Sequence, residues 1–221
     1  PDPASPAMAL LGARIHPVSG PVIEDGVLLV EDGRIQAVGA RGEVEVPAGH
    51  EVRDLAGRVI VPGLVCTHSH VGGIGGADGS GPIQPDVRVY DSINVRDSGF
   101  KRALAGGLTT LNIMPGSGHL MSGQTIYVKL REAERIEDMF YRWPDGEPMG
   151  GMKMANGTNS LRGNPWPGTR GKSAALVRAR FIEAQEYREK VARAEGDPEK
   201  LPARDIGLEA MVQVLEGRRM V

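Results

Sequence analysis

The sequence predicts a protein of the α/β class, with a small β-sandwich first and parallel strand–helix units after it. Two strand-like segments flank Asp32-Gly33, a dipeptide that strongly favours a tight hairpin turn. Beyond residue 60, short apolar segments alternate with helical patterns, which is typical of parallel βαβ units. The predicted regions are a processed or disordered terminus at 1–8, a β-sandwich at 9–60 and an α/β domain at 61–221.

Two pairs of strands make up the predicted sandwich. Residues 27–30 and 34–38 form the hairpin around Asp32-Gly33, and residues 51–55 and 58–60 form the other pair. Glycines and a proline lie between the two pairs, where the chain has to turn. We expect this region to act as a stability module.

Four strands and three helices are predicted in the α/β domain. The last helix has apolar residues at helical spacing, with Asp205 as its N-cap and Gly217 at its end. A further strand is expected to begin after Gly217. The other predicted elements are strands at 64–65, 108–114, 125–130 and 149–155, and helices at 91–105 and 173–195.

Composition and charge exclude several classes of protein. The chain has 221 residues, 40% of them apolar, which is enough to bury a sizeable core. A net charge of −2 gives no electrostatic basis for binding nucleic acid or an anionic membrane. No apolar stretch approaches the roughly 18 residues of a transmembrane helix, and one cysteine excludes an internal disulfide. We expect a soluble protein without nucleic-acid or membrane partners, located in the cytoplasm or exported after removal of a signal.

Two histidines at the end of the first α/β strand are the strongest functional signal. His68 and His70 are two residues apart, so on a strand their imidazoles point to the same side. Two neutral imidazoles held in this way can chelate a divalent metal. The alternative is a pair of strand histidines that only satisfy local hydrogen bonds. The apolar strand before the pair and the glycine-rich loop after it favour the metal site.

The segment 62–70, PGLVCTHSH, resembles the first barrel strand of the amidohydrolase superfamily, which comprises metal-dependent hydrolases built on a (β/α)8 barrel. Residues 106–110, 114–118 and 153–157 resemble the imidazolonepropionase-related branch. One residue departs from the superfamily pattern, because Cys66 stands where an acidic residue is usual. The resemblance implies that the α/β domain is the first half of a TIM-like (β/α)8 barrel.

The resemblance also implies that part of the metal site lies elsewhere. In amidohydrolases two further histidines and an aspartate come from the fifth, sixth and eighth strands, and this chain offers no counterparts. We therefore expect a second polypeptide, or a C-terminal half outside this chain, to complete the barrel, within an oligomer. Half a barrel would otherwise expose open sheet edges.

Lys153 lies where two-metal amidohydrolases carry a carboxylated lysine that bridges the metals. The resemblance therefore implies a catalytic and metal-binding role for Lys153, beside His68 and His70. The alternative is a lysine that reaches solvent at a strand end or pairs with an acid. One or two divalent ions are expected. Zinc is favoured by the ligand types, although manganese, iron or cobalt would tolerate them too.

Two loops follow strands at the barrel end where active sites of this fold assemble. His119 lies in the loop after the second strand, and Asn156 and Arg162 lie in the loop after the fourth. These three residues are the predicted substrate-binding residues. Ordinary surface loops with exposed polar side chains are the alternative.

The predicted function is hydrolysis of a C–N bond in an amide, cyclic amide or dipeptide-like small molecule, by a hydroxide that the metal activates. An alternative is a non-catalytic assembly or binding subunit that keeps the amidohydrolase fold. A metal-dependent phosphoesterase is less favoured, because few arginines cluster near the site to bind a phosphate.

Overall fold

The structure is a computed structural model, and it describes residues 6–75 and 78–221. Most of the terminus predicted at 1–8 therefore lies outside the described residues. The chain divides into two compact units, of which the first ends at Gly63 and the second runs from Leu64 to Val221.

The first unit is a five-stranded sheet with β1 at its centre. The predicted hairpin is confirmed, because β2 and β3 pair antiparallel. Asp32 and Gly33 have φ values of 47° and 68°, which suit the left-handed positions of a tight hairpin turn. The strands are β1 (Met8–Ile15), β2 (Ile23–Glu31), β3 (Arg34–Ala40), β4 (Glu51–Asp54) and β5 (Val59–Ile60).

The second strand pair predicted for this unit is wrong. β4 and β5 do not pair with each other, because both lie parallel to β1, along residues 8–11 and 14–15 respectively. The eight-residue β1 is long enough to accept two short neighbours in succession. The described residues of this unit therefore form one sheet, with apolar clusters around Leu29 and around Ile15, and not the two layers of a sandwich.

The second unit begins with a parallel β–α–β unit, as predicted. β6 (Leu64–Ser69) and β7 (Leu108–Ile113) pair parallel, and α1 (Ser98–Ala105) lies between them along the chain. The helix predicted at 91–105 is shorter, because the Asp97 carboxylate accepts a hydrogen bond from the Gly99 amide at 2.7 Å and caps the helix there.

The next strands correct the prediction of a purely parallel arrangement. β8 (Met121–Gln124) and β9 (Ile126–Lys129) follow one another, and β9 pairs antiparallel with β7. β10 (Met152–Met154) pairs antiparallel with β8. Residues 114–125 connect β7 to β9 and contain β8, whereas a parallel neighbour is usually reached through a crossover helix. The connection lacks such a helix, and β9 returns antiparallel alongside β7.

Two helices complete the described unit. Thr169 caps α2 (Arg170–Arg193), and the predicted cap Asp205 is confirmed for α3 (Ile206–Leu215), where its carboxylate accepts from the Leu208 amide at 2.8 Å. Gly217 has a φ of 72° after the last helical turn, as a helix end favours. The strand expected next is a single parallel bridge between Met220 and Gly151.

Two apolar clusters pack the helices of the second unit against its sheets. One cluster packs α1 against the β6–β7–β9 sheet, with Phe100, Leu111 and Ile113 among its buried members. Another packs Met121 and Met152 against α2 and α3. Within the described residues, none of the helices combines the length and hydropathy that a bilayer-spanning segment needs.

Candidate metal centre

The two predicted metal ligands meet at the end of β6. The Nε2 atoms of His68 and His70 are 3.3 Å apart, and the two rings are nearly perpendicular, with centroids 5.0 Å apart. The pairing of β6 with β7 shifts register between Cys66 and Ser69, so the strand is irregular where it delivers the histidines. The prediction that both imidazoles turn to one side agrees with this geometry.

The backbone fixes the tautomer of His70. Its Nδ1 lies 2.8 Å from the Met114 carbonyl oxygen, so Nδ1 carries the proton and donates, and Nε2 keeps its lone pair. Met114 is itself held, because its amide donates to the Ser69 carbonyl at 2.9 Å. The end of β7 therefore orients a side chain at the end of β6. Sequence reasoning missed this contact, which depends on a backbone atom and leaves no signal in residue types.

The spacing of the two histidines fits a shared metal ion. Two nitrogens bound to one zinc at roughly 2.0–2.1 Å and a tetrahedral angle lie roughly 3.3–3.4 Å apart, which the observed Nε2 separation matches. Burial, followed by the charges of Lys153 and His70, lowers the pKa of His68, so its ring is neutral and able to bind metal. Among the described residues, no group of three or more His, Cys, Asp or Glu side chains is placed so that it could hold a metal ion. A metal bound by His68 and His70 would therefore need further donors.

Lys153 belongs to the same region as the histidines. It lies in the middle of β10, opposite Gly123 of β8, between two methionines that pack against the helices. Its positive charge acts on His68, and burial alone lowers the pKa of Lys153 itself. Among the described residues no acidic side chain pairs with Lys153, and an acid from outside this chain remains the alternative to a metal-bridging role.

Two of the predicted substrate residues come together, and one does not. His119 is buried, and Arg162 donates from Nη2 to the Gly118 carbonyl at 2.7 Å, which joins the two loops. Trp166 completes this group, with its ring 4.7 Å from the His119 ring. Asn156 is exposed beyond the end of β10, outside this group. Sequence reasoning missed Trp166, although an aromatic residue between two prolines in a polar loop was the available signal.

Comparisons with known proteins point to hydrolases of C–N bonds. The chain is 34% identical over 125 residues to a dihydroorotase from Pelobacter propionicus, covering 56% of this chain and 26% of that protein. It is 36% identical over 83 residues to an imidazolonepropionase from Deinococcus radiodurans, covering 38% of this chain and 20% of that protein. No protein-family model matches the chain.

The fold comparison extends over nearly the whole chain. A solved amidohydrolase from Thermotoga maritima superposes with a TM-score of 0.82 at 29% identity, covering 95% of this chain and 55% of that one. The chain therefore spans about half of that structure and about a quarter of the dihydroorotase. Its fold is that of the matched part of this amidohydrolase. The chain is therefore similar to members of the amidohydrolase superfamily over nearly its whole length, and the resemblance found in the sequence is confirmed.

Proposed function

We propose that this chain supplies the metal-binding strand of an amidohydrolase that cleaves a C–N bond in an amide or cyclic amide of small size. One observation carries the proposal: the Nε2 atoms of His68 and His70 converge to 3.3 Å while the Met114 carbonyl fixes the His70 tautomer. A pair of histidines with only a packing role has no need of this arrangement. The similarity to a dihydroorotase and an imidazolonepropionase supports the reaction class.

His68 and His70 would hold the metal, and zinc suits two imidazoles best. When bound, such an ion supplies a Lewis acid that polarises a carbonyl and lowers the pKa of water. This chain contributes the orientation of the ligands. The Met114 carbonyl keeps His70 from rotating, and slight desolvation, followed by the charges of Lys153 and His70, lowers the pKa of the exposed His68 ring and so favours its neutral form.

We assign the bridging role to Lys153 in its carboxylated form. A half-buried ammonium beside two imidazoles and away from any acid is unfavourable. Addition of CO2 to the neutral amine releases a proton and leaves a carbamate anion, which metal ions can neutralise. Intact-mass measurement under native conditions tests this assignment, since the carbamate adds the mass of one CO2 and a Lys153→Arg variant has to lack it.

Further ligands and strands would come from residues outside this chain, on a second polypeptide or on a continuation of the same one. The described histidines and lysine leave metal coordination incomplete. β6 also lies at the edge of its described sheet, and Leu64 and Val65 on it are 56% and 57% exposed. An added strand would cover these side chains and extend the first part of a (β/α)8 barrel.

Zinc binding to the chain tests the proposal. Equilibrium dialysis against Zn2+ is expected to show that a His68→Ala, His70→Ala double variant loses at least roughly 100-fold in affinity, because both imidazole ligands are gone. His16→Ala is the matched control, since it removes a histidine from the other unit. Equal zinc binding by the double variant and the unmodified chain would disprove the metal site. Because further ligands come from outside this chain, the measurement is repeated on the barrel completed by its other half, and a completed barrel without bound zinc would favour the non-catalytic subunit.

A further inference from the structure

A buried histidine outside the metal pair has no hydrogen-bond partner. His119 is only 4% exposed, and among the described residues neither of its ring nitrogens forms a hydrogen bond. The Asp78 backbone carbonyl lies near the ring without hydrogen-bond geometry. Buried polar atoms are nearly always paired with protein, water or ligand. A buried imidazole without a partner therefore indicates a site where a polar group of a ligand binds and forms the missing hydrogen bond.

The walls beside His119 come from two loops. The Trp166 ring meets the His119 ring edge to face at an interplanar angle of 61°. The Arg162 guanidinium lies over the same indole, 4.3 Å from its centroid, and one of its nitrogens donates to the Gly118 carbonyl. Among the described residues, that bond is the only one the Arg162 side chain makes, so its remaining guanidinium N–H groups are available. A guanidinium stacked on an indole is held in a fixed plane.

Charge at this place favours a group with one negative charge. Burial, then the Arg162 charge, lowers the pKa of His119, while the backbone carbonyl and carboxylate of Asp78 act in the opposite direction. His119 is therefore neutral at physiological pH and offers a single N–H donor. One guanidinium can balance one monoanion, and the Asp78 carboxylate nearby adds repulsion that disfavours a dianion such as phosphate even more.

We propose that His119, Arg162 and Trp166 form a subsite for a carboxylate group of the substrate. The Arg162 fork matches the two oxygens of a carboxylate, and the His119 N–H supplies a further donor to one of them. The loop that carries His119 begins at Met114, whose carbonyl orients His70. The subsite rests on the proposed function, which it sharpens to C–N hydrolysis in substrates that carry a carboxylate.

Trp166 provides a direct readout of binding. The chain has two tryptophans, so a Trp143→Phe background leaves Trp166 as the sole indole emitter. Titration of this protein with sodium propionate, against sodium chloride at equal ionic strength, is expected to give a saturable change in fluorescence. Arg162→Gln is expected to weaken propionate binding by roughly tenfold or more, and Arg162→Lys to restore it in part. Arg170→Gln, an exposed arginine at the start of α2, is the matched control with unchanged binding.

The outcomes separate the subsite from the metal site. Absence of a saturable response, or equal binding by Arg162→Gln with an unchanged circular dichroism spectrum, would overturn the subsite. Tighter binding of inorganic phosphate than of propionate would overturn the carboxylate assignment. Zinc dialysis on the same samples distinguishes the two proposals. Retained zinc with no propionate response disproves only the subsite. A propionate response, together with equal zinc binding by the unmodified chain and the His68→Ala, His70→Ala double variant, disproves only the proposed metal function.

Discussion

The sheet of residues 6–63 and the unit from Leu64 onward bury different kinds of side chain. In the sheet, the buried side chains that form the core are apolar, such as Ala9, Val27 and Leu29. Its buried imidazole, His50, lies 3.0 Å from a Glu31 carboxylate oxygen. Apart from this imidazole, the buried polar residues of the described chain lie in the other unit, from Ser69 to Ser173.

Several of those buried polar groups have no hydrogen-bond partner among the described residues. The atoms are Asn112 Oδ1, Ser122 Oγ and both nitrogens of His119. Nε of the half-buried Arg180 is also unpartnered, and the first unit has one such atom, Nε2 of His50, which faces Glu31 outside hydrogen-bond geometry. Each costs stability, because it lost its water without gaining a protein partner. The difference teaches that the two units serve different purposes. The first is organised for stability, and the second accepts an energetic cost where side chains are kept available for a ligand.

The largest expected effect on stability comes from the core of the sheet. Leu29→Ala removes a buried side chain, and we expect the free energy of unfolding to fall by about 2–4 kcal/mol. Urea denaturation measures this loss, and zinc dialysis in the absence of urea is expected to be unchanged. Val38→Ala is the control, because Val38 is exposed on the same sheet. Loss of zinc binding in Leu29→Ala would break the division of roles between the units.

A smaller effect is expected from the cap of α3. Asp205→Ala leaves the Leu208 amide without its acceptor and should cost about 1 kcal/mol, measured by thermal unfolding. Asp205→Asn separates two causes, since asparagine also caps helices but cannot pair with the Arg180 guanidinium 3.4 Å away. If the asparagine variant loses as much stability as the alanine variant, the ion pair and not the cap is responsible.

The smallest expected effect is a gain in stability at Lys153. Burial lowers the pKa of Lys153 in the folded chain below its ordinary value of 10.5, so the unfolded chain binds the proton more tightly. The resulting penalty is fully present below the folded pKa and disappears as the pH rises towards 10.5. Lys153→Met should therefore raise the Tm of the metal-free chain at pH 7 by roughly 1–3 °C.

Comparing the Tm of Lys153→Met with that of the unmodified chain at high pH tests whether the lysine charge causes the difference. Above the ordinary lysine pKa both states carry a neutral amine, and the advantage of the methionine variant is expected to shrink. Thermal melts of both proteins at neutral and at alkaline pH measure it. A Lys153→Met variant that is less stable than the unmodified chain at neutral pH would show that Lys153 contributes to the fold, against the role proposed for it.

Local signals in the sequence accounted for the features that were predicted correctly. The Asp32-Gly33 turn and the Asp205 cap each depend on neighbouring residues, as does the convergence of the His68 and His70 rings, whose metal-binding role stays a prediction. Pairings between distant segments were the failures. β4 and β5 both join β1 because of its length, and β9 returns along β7 through a connection that contains β8 and no helix. The contact of Trp166 with His119 joins two loops from different strands, and residue types alone do not encode such proximity.

The position of β6 also matters while the chain is being synthesised. The strand is complete at Ser69, but its parallel partner ends only at Ile113. At roughly 5–20 residues per second, a ribosome needs roughly 2–9 s to add the intervening residues. During that time Leu64 and Val65 emerge with no strand beside them. The segment that carries His68 and His70 therefore stays without its neighbouring strand until β7 has been synthesised.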